Sequence, residues 1–248
     1  PGYQSDVLCA RAAEWLAGRG RADGAADAPW FCVVSLEPPH PPYDAPSGRV
    51  RPRDGSGLVL RGNVPAGGVA EARARRELAG YYAHLEATDA AIGGLIDAVA
   101  GRDTVVVFTS VHGDMHGAHG LFRKGWPHEE SVRVPLLVRD GRDGRGRRES
   151  APISLLELPA RTLAWADGAA PPSFRDAVAL SMPSVVALPD QCDRLWRGVR
   201  TRSHKLILNG DGSPWLLFDL DRDPLELENR AASPESAALI AALQARHP

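Results

Sequence analysis

Lysine is nearly missing from this sequence: of its 29 basic residues only Lys124 and Lys205 are lysines, so arginine carries almost all the positive charge. The three cysteines (Cys9, Cys32 and Cys192) are odd in number and far apart, which argues against a disulfide framework and a CxxC metal site. No apolar run approaches the roughly 20 residues that cross a bilayer. A net charge of -2 gives no basis for binding nucleic acid or an anionic membrane surface.

The composition is that of an ordinary globular protein, with 44% hydrophobic and 24% charged residues in a chain of 248. This length suits one large domain, or one domain with a small second one. The sequence starts at Pro1 and enters a helix-like segment at once, so we expect that part of the natural chain precedes it. For that reason the sequence predicts no localisation.

Three continuous apolar runs of strand length lie at residues 30–36, 104–110 and 134–139. Runs without polar alternation are typical of parallel strands that helices cover on both faces. A long helix is predicted from about Val69 to Val99, and Asp89 falls on its apolar stripe. We interpret Asp89 as a hydrogen-bonded structural carboxylate, with a catalytic role as the alternative. Together these elements predict an α/β layered fold with a mostly parallel sheet.

The tail of the chain has a different pattern, with short strands and a last helix. These elements are predicted at 198–201, 205–208, 215–219 and 234–245. The segment Asn209-Gly210-Asp211-Gly212 between the last two strands is a hairpin signal. We therefore predict two domains: residues 1–175 form part of the α/β domain, and residues 176–248 form a small antiparallel sheet with a helix.

Candidate functional residues follow the first two apolar strands, where ligands bind in open α/β sheets. His40 follows the first strand, the His- and Asp-rich turn 111–120 follows the second, and the rare Lys124 comes shortly afterwards. Each has an ordinary alternative, as a polar loop residue or a solvated charge. The histidines of the turn do not share a helix face, because glycines interrupt it, so spacing alone does not predict a zinc site.

Five stretches spread over nearly the whole chain resemble the sulfatase family of the alkaline phosphatase superfamily. They are "PPHPPYDAP", "YYAHLEATDAAIGGLID", "TVVVFTSVHGDMHGAHGLFRKGWPHEESVRVPLLVR", "GVRTRSHKLIL" and "LLFDLDRDPLELEN", in the family's order. The resemblance implies an alkaline-phosphatase-like fold and hydrolysis of sulfate esters by a hydrated formylglycine beside a divalent cation, for which we expect calcium. The implied partner is a sulfated small molecule or glycan.

The resemblance also assigns roles to individual residues. His40 matches the histidine on the sulfate side, and Lys124 matches the lysine that precedes "G-x-x-x-E". Both are therefore expected to bind the sulfate and to take part in catalysis. Histidine can transfer a proton near neutral pH, and the ammonium group of lysine suits a tetrahedral anion. His112 matches the second residue of the family's metal-binding pair.

Two departures from the family pattern limit this inference. Val111 stands where the pattern TSDHGD has an aspartate that binds the metal, so cation binding by this chain is expected to be weak. In addition, the sequence contains neither the C/S-x-P-x-R nucleophile motif nor an Asp-Asp metal pair. In the family these lie upstream, so the missing N-terminal segment is itself an expected partner of this chain.

Three hypotheses remain open. The chain is a fragment of a sulfatase, inactive alone because it lacks the formylglycine motif. Alternatively, it is a non-catalytic, degenerate homologue, as Val111 suggests. The third hypothesis is a phosphate or phosphonate monoester hydrolase of the same superfamily.

Overall fold

The computed structural model describes residues 2–19, 29–43, 48–49, 51, 53–141, 146–185 and 188–246. The chain divides into two compact units, Pro1–Thr104 and Val105–Pro248. The domain boundary predicted at residue 175 lies inside the second unit and stays a prediction.

The described residues form five α-helices and six strands. The helices are α1 (Gln4–Gly18), α2 (Val69–Ala98), α3 (Glu129–Val132), α4 (Leu158–Ala166) and α5 (Ala237–Gln244). The strands are β1 (Val106–Thr109), β2 (Leu136–Arg139), β3 (Ala177–Met182), β4 (Trp196–Thr201), β5 (His204–Asn209) and β6 (Pro214–Asp219). None of the described helices is both long and apolar enough to span a membrane.

In the first unit, α1 packs against α2 through a small-residue face. Ala83 and Ala87 of α2 are buried with Tyr3, whose hydroxyl lies 2.9 Å from His84 Nδ1. The predicted apolar stripe of α2 is only partly correct, because Asp89 is exposed. Alanines let the two helix backbones approach closely, so the interface forms on that face. As an exposed side chain, Asp89 is not the buried structural carboxylate that we predicted.

The first apolar run, residues 30–36, is not a sheet strand in the described part of the chain. It pairs with none of the six strands. Its side chains alternate between exposed and half-buried, and Phe31 and Val33 are 72% and 73% exposed. The alternation is that of a β-strand, whereas the hydrogen-bonded neighbours that define a strand are absent from the described ranges. The prediction of a central strand here is therefore wrong for these residues.

In the second unit, β1 and β2 form a two-stranded antiparallel sheet with Phe108 opposite Leu137. Both strands lie inside the ranges predicted from their apolar composition. The described residues contribute this antiparallel pair, and no parallel pair, to the predicted sheet. Phe108 and Leu137 are both exposed.

The C-terminal antiparallel sheet is confirmed and has the order β3-β4-β5-β6. The hairpin between β5 and β6 turns at Asn209–Gly212, where the Gly212 N–H donates to the Asn209 carbonyl at 2.9 Å. Strand β3 is not among the short strands predicted for the tail, which begin at residue 198. One face of the sheet buries Trp196, Ile207 and Phe218, and the other packs on α5 through Leu243.

Candidate functional site

His40 lies in the first unit, in a proline-rich segment that packs on α2. The segment contains two cis peptide bonds, Pro38–Pro39 and Pro41–Pro42. A Cβ on Gly80 of α2 would overlap the Tyr43 carbonyl oxygen, so a glycine is needed for this close approach. The Nδ1 atom of His40 lies 2.9 Å from the Pro41 carbonyl oxygen and 3.6 Å from the Glu37 carboxylate. The imidazole is partly exposed to solvent.

The His- and Asp-rich turn that follows β1 is organised by one carboxylate. Asp114 Oδ1 accepts hydrogen bonds from the backbone N–H groups of His116 and Arg123, both at 3.1 Å. His116, His119 and Arg123 all have positive φ, which costs a non-glycine residue about 1–3 kcal/mol. The surrounding hydrogen bonds therefore hold a strained turn in one shape.

Val111 and His112, at the start of this turn, do not form a cation site. Val111 is 85% exposed and has no ligand atom. His112 Nδ1 lies 2.9 Å from the Gly113 carbonyl oxygen. These two residues offer one imidazole ligand, whereas calcium is bound by roughly six to eight oxygen ligands. The residues present at the predicted metal position therefore do not fit the cation.

Lys124 lies at the end of the same turn and is half-buried. Its carbonyl oxygen accepts a hydrogen bond from Cys192 N–H at 3.3 Å, and that of Gly125 accepts one from the Trp196 indole at 2.8 Å. Gly125 has φ of +86°, and a Cβ there would lie 3.0 Å from Met182. The backbone around Lys124 is thus attached to the C-terminal sheet. Lys124 and His112 belong to the second unit, whereas His40 belongs to the first.

Sequence reasoning missed a buried ion cluster next to this turn. Lys205 on β5 is completely buried, and its ammonium lies 3.0 Å from Glu129 and 2.5 Å from Glu226. Arg200 on β4 lies 3.3 Å from the other carboxylate oxygen of Glu129. The rarity of lysine, which drew attention to Lys124, applies equally to Lys205 and was the available signal.

The two carboxylates of this cluster are ionised despite burial. Burial alone would raise the pKa of Glu226, but the His128 hydrogen bond and the charge of Lys205 lower it to about 2. Two opposing effects also act on the pKa of Glu129. Burial raises this pKa, but the charges of Lys205 and Arg200 lower it below its usual value. Two negative and two positive charges therefore balance in a largely buried site.

Glu226 of the cluster and two neighbouring histidines could hold a metal ion. The ligand atoms of His119, His128 and Glu226 lie within 4.8 Å of one another. The imidazoles of His119 and His128 are stacked, with centroids 4.2 Å apart and planes at 22°. A metal lies in the plane of each imidazole that binds it, so stacked rings do not converge on one ion without rearrangement. Burial lowers the pKa of His119, which favours the neutral ring in the stack.

Comparison with known proteins places these residues in a family. The sequence profile described as Sulfatase matches residues 1–169. An ulvan-active sulfatase of Formosa agariphila is 33% identical over 247 residues, covering 89% of this chain and 47% of that protein. The chain belongs to the sulfatase family. The predicted resemblance is confirmed, and the relatives support sulfate ester hydrolysis as the activity at the level of the family.

Solved structures show the same fold. A phosphonate monoester hydrolase of Agrobacterium radiobacter superposes with a TM-score of 0.73 at 23% identity, over 100% of this chain and 62% of that one. A protein solved with its substrate D-glucosamine-2-N,6-O-disulfate gives 0.59 at 22% identity, over 75% of this chain and 42% of that one. The alkaline-phosphatase-like α/β class is confirmed. The chain spans about half the length of the curated sulfatases it matches.

We expect millimolar calcium to leave the thermal unfolding midpoint of the chain unchanged, because the described residues at positions 111 and 112 offer one imidazole. The Val111→Asp variant should behave in the same way, since two ligands remain too few. Differential scanning calorimetry with and without calcium tests this, with His112→Ala as the matched control. A micromolar dissociation constant for calcium by titration calorimetry would contradict the expectation.

We also predict an acid-sensitive contribution from Glu226. Its pKa is about 2 when folded and 4.5 when unperturbed, so its stabilisation is complete above pH 4.5 and is lost as the pH falls toward 2. Glu226→Gln should flatten the fall in unfolding free energy over that interval, by at most about 1.4 kcal/mol per pH unit. The exposed Glu228→Gln serves as the control. Identical pH profiles for Glu226→Gln and wild type would show that the carboxylate is not held in this way.

Proposed function

We propose that this chain is the carboxyl-terminal part of a sulfate ester hydrolase, and that Lys124 and His40 contact the sulfate group. The observation behind the proposal is the position of Lys124, one of the two lysines in the sequence. Lys124 lies at the end of a turn that is held by the Asp114 carboxylate and by a hydrogen bond from Trp196 of the C-terminal sheet. Membership of the sulfatase family supports the reaction class.

The chemistry of the two side chains suits their proposed roles. The ammonium of Lys124 offers three donors and a compact charge, which stabilise a tetrahedral anion as charge develops on its oxygens. His40, partly exposed next to the Glu37 carboxylate, can donate a proton to the departing alcohol oxygen. The cation that the family uses, calcium in our proposal, would need carboxylates from outside this sequence. The roles of Lys124 and His40 do not depend on it.

The nucleophile would also come from outside this sequence, because no C/S-x-P-x-R motif is present in it. The exposed Phe31 and Val33 support such a complement. They lie on a strand-like segment that pairs with none of the described strands, and exposed apolar side chains of this kind are typical of a surface that more chain covers. The proposed substrate is a sulfated small molecule or glycan. A fold relative solved with a disulfated glucosamine supports the glycan.

Two other functions are kept as outcomes of the test. The phosphonate monoester hydrolase among the fold relatives favours hydrolysis of phosphonate or phosphate monoesters as the second candidate. Val111 favours a degenerate homologue without activity, because a valine has replaced an expected anionic ligand.

We expect the 248-residue chain alone to show no turnover of 4-nitrophenyl sulfate, because it lacks the nucleophile. The complete protein encoded by its gene should hydrolyse this ester, and Lys124→Ala or His40→Ala should lower kcat/KM about 100-fold or more. Arg139→Ala, an exposed change on β2, is the control. Steady-state kinetics with sulfate, phosphate and phosphonate esters in parallel make the measurement.

The outcomes separate the three functions. Faster turnover of a phosphonate monoester than of the sulfate would favour the second candidate. A folded complete protein without any activity would favour the degenerate homologue. Turnover by the 248-residue chain alone, abolished by Lys124→Ala, would refute the proposed fragment.

A further inference from the structure

Two positive side chains face each other across the C-terminal sheet. Arg200 on β4 and Lys205 on β5 are direct cross-strand partners. Like charges at such positions repel and destabilise a sheet, and here Lys205 is completely buried. The sheet therefore needs a negative group placed between them.

Glu129 supplies that group from the segment that follows Lys124. Its two carboxylate oxygens separate the cations, with Oε1 3.0 Å from the Lys205 ammonium and Oε2 3.3 Å from the Arg200 guanidinium. Glu226 provides the second negative charge and accepts the Glu129 backbone N–H at 2.8 Å. Thus Glu129 is fixed at both its side chain and its backbone.

A second attachment lies four to five residues before Glu129 in the chain. The Trp196 indole on β4 donates to the Gly125 carbonyl at 2.8 Å, and the Cys192 N–H donates to the Lys124 carbonyl at 3.3 Å. Trp196 and Cys192 are both buried in one apolar cluster of the sheet. Both donors therefore belong to residues that are packed in the core of the second unit.

We infer that Trp196 and Lys205 are positioning residues: the C-terminal sheet holds the segment from Lys124 to Glu129 at both ends and so fixes where the Lys124 side chain begins. The Lys124 ammonium is attached through a flexible four-carbon stem, so the position of its backbone limits the space that it samples. A misplacement of about 1 Å can lower a catalytic rate by about 100-fold. The catalytic meaning of this positioning rests on the proposed function, whereas the attachment itself does not.

The test uses the two lysines of the chain as separate reporters. Acetylation by a limiting amine-reactive ester, followed by peptide mass spectrometry, gives one rate for Lys124 and one for Lys205. Because Lys205 is completely buried, it reacts only when the sheet opens, and its rate reports loss of folding. Lys124 is half-buried and reports its local surroundings.

Trp196→Phe removes the indole donor and keeps an aromatic ring in the core. We expect the Lys124 rate to change about fivefold, equivalent to about 1 kcal/mol for one hydrogen bond, while Lys205 stays protected. Trp215→Phe, which changes a partly buried tryptophan packed on the same cluster, is the matched control and should alter neither rate. An unchanged Lys124 rate in a folded Trp196→Phe variant would overturn the inference.

If Lys205 also becomes reactive in Trp196→Phe, the variant has lost folding, and the attachment is then tested by a measurement on the wild-type chain. Slow hydrogen exchange of the Trp196 indole N–H, measured by NMR, supports the attachment, and exchange as fast as in a free indole contradicts it. Acetylation in the presence of inorganic sulfate distinguishes this inference from the proposed function. If sulfate does not slow acetylation of Lys124 while the Trp196→Phe effect is present, the anion-binding role fails and the positioning role stands.

Discussion

The buried ammonium of Lys205 is the constraint on which the second unit depends. An unpaired charge in such a place would cost several kcal/mol, so the fold must deliver carboxylates to it. They come from two distant parts of the chain, Glu129 after the His- and Asp-rich turn and Glu226 after β6. In this position Glu226 has a φ of 58°, a conformation that is unfavourable for a non-glycine residue. The ion cluster thereby joins the turn and the C-terminal sheet into one unit.

If Lys124 contacts the anion, as we propose, this arrangement gives the small C-terminal sheet a role in positioning it. In a sulfatase the anion is held by a few side chains whose positions must be accurate, and Lys124 sits on a turn with several positive-φ residues. Such a turn keeps its shape only if its surroundings determine it. Asp114 does so from within the turn, and Trp196 does so from the sheet. Under the proposed function, the position of Lys124 and the packing of the sheet are therefore coupled through the backbone between Lys124 and Glu129.

Local signals predicted much of the fold, and long-range contacts explain what was missed. The Asn209–Gly212 hairpin and the range of α2 follow from turn chemistry and helical periodicity. Residues 30–36 pair with none of the described strands, because pairing depends on neighbouring strands that no local pattern encodes. Lys124 was found through its motif and the scarcity of lysine. Lys205 shares that scarcity, but its partner Glu129 is 76 residues away, so its burial could not be predicted.

The most direct test of this account is a double-mutant cycle between Lys205→Met and Glu226→Gln, with unfolding free energies from denaturant titration. Lys205→Met alone should cost roughly 3–5 kcal/mol, because it removes the cation that two buried carboxylates share and, among the described residues, leaves only Arg200 beside Glu129. Adding Glu226→Gln removes one of these charges, so the double mutant should be more stable than the sum of the single changes by more than about 1 kcal/mol. Additivity within about 0.5 kcal/mol would contradict the central role of the buried ion cluster.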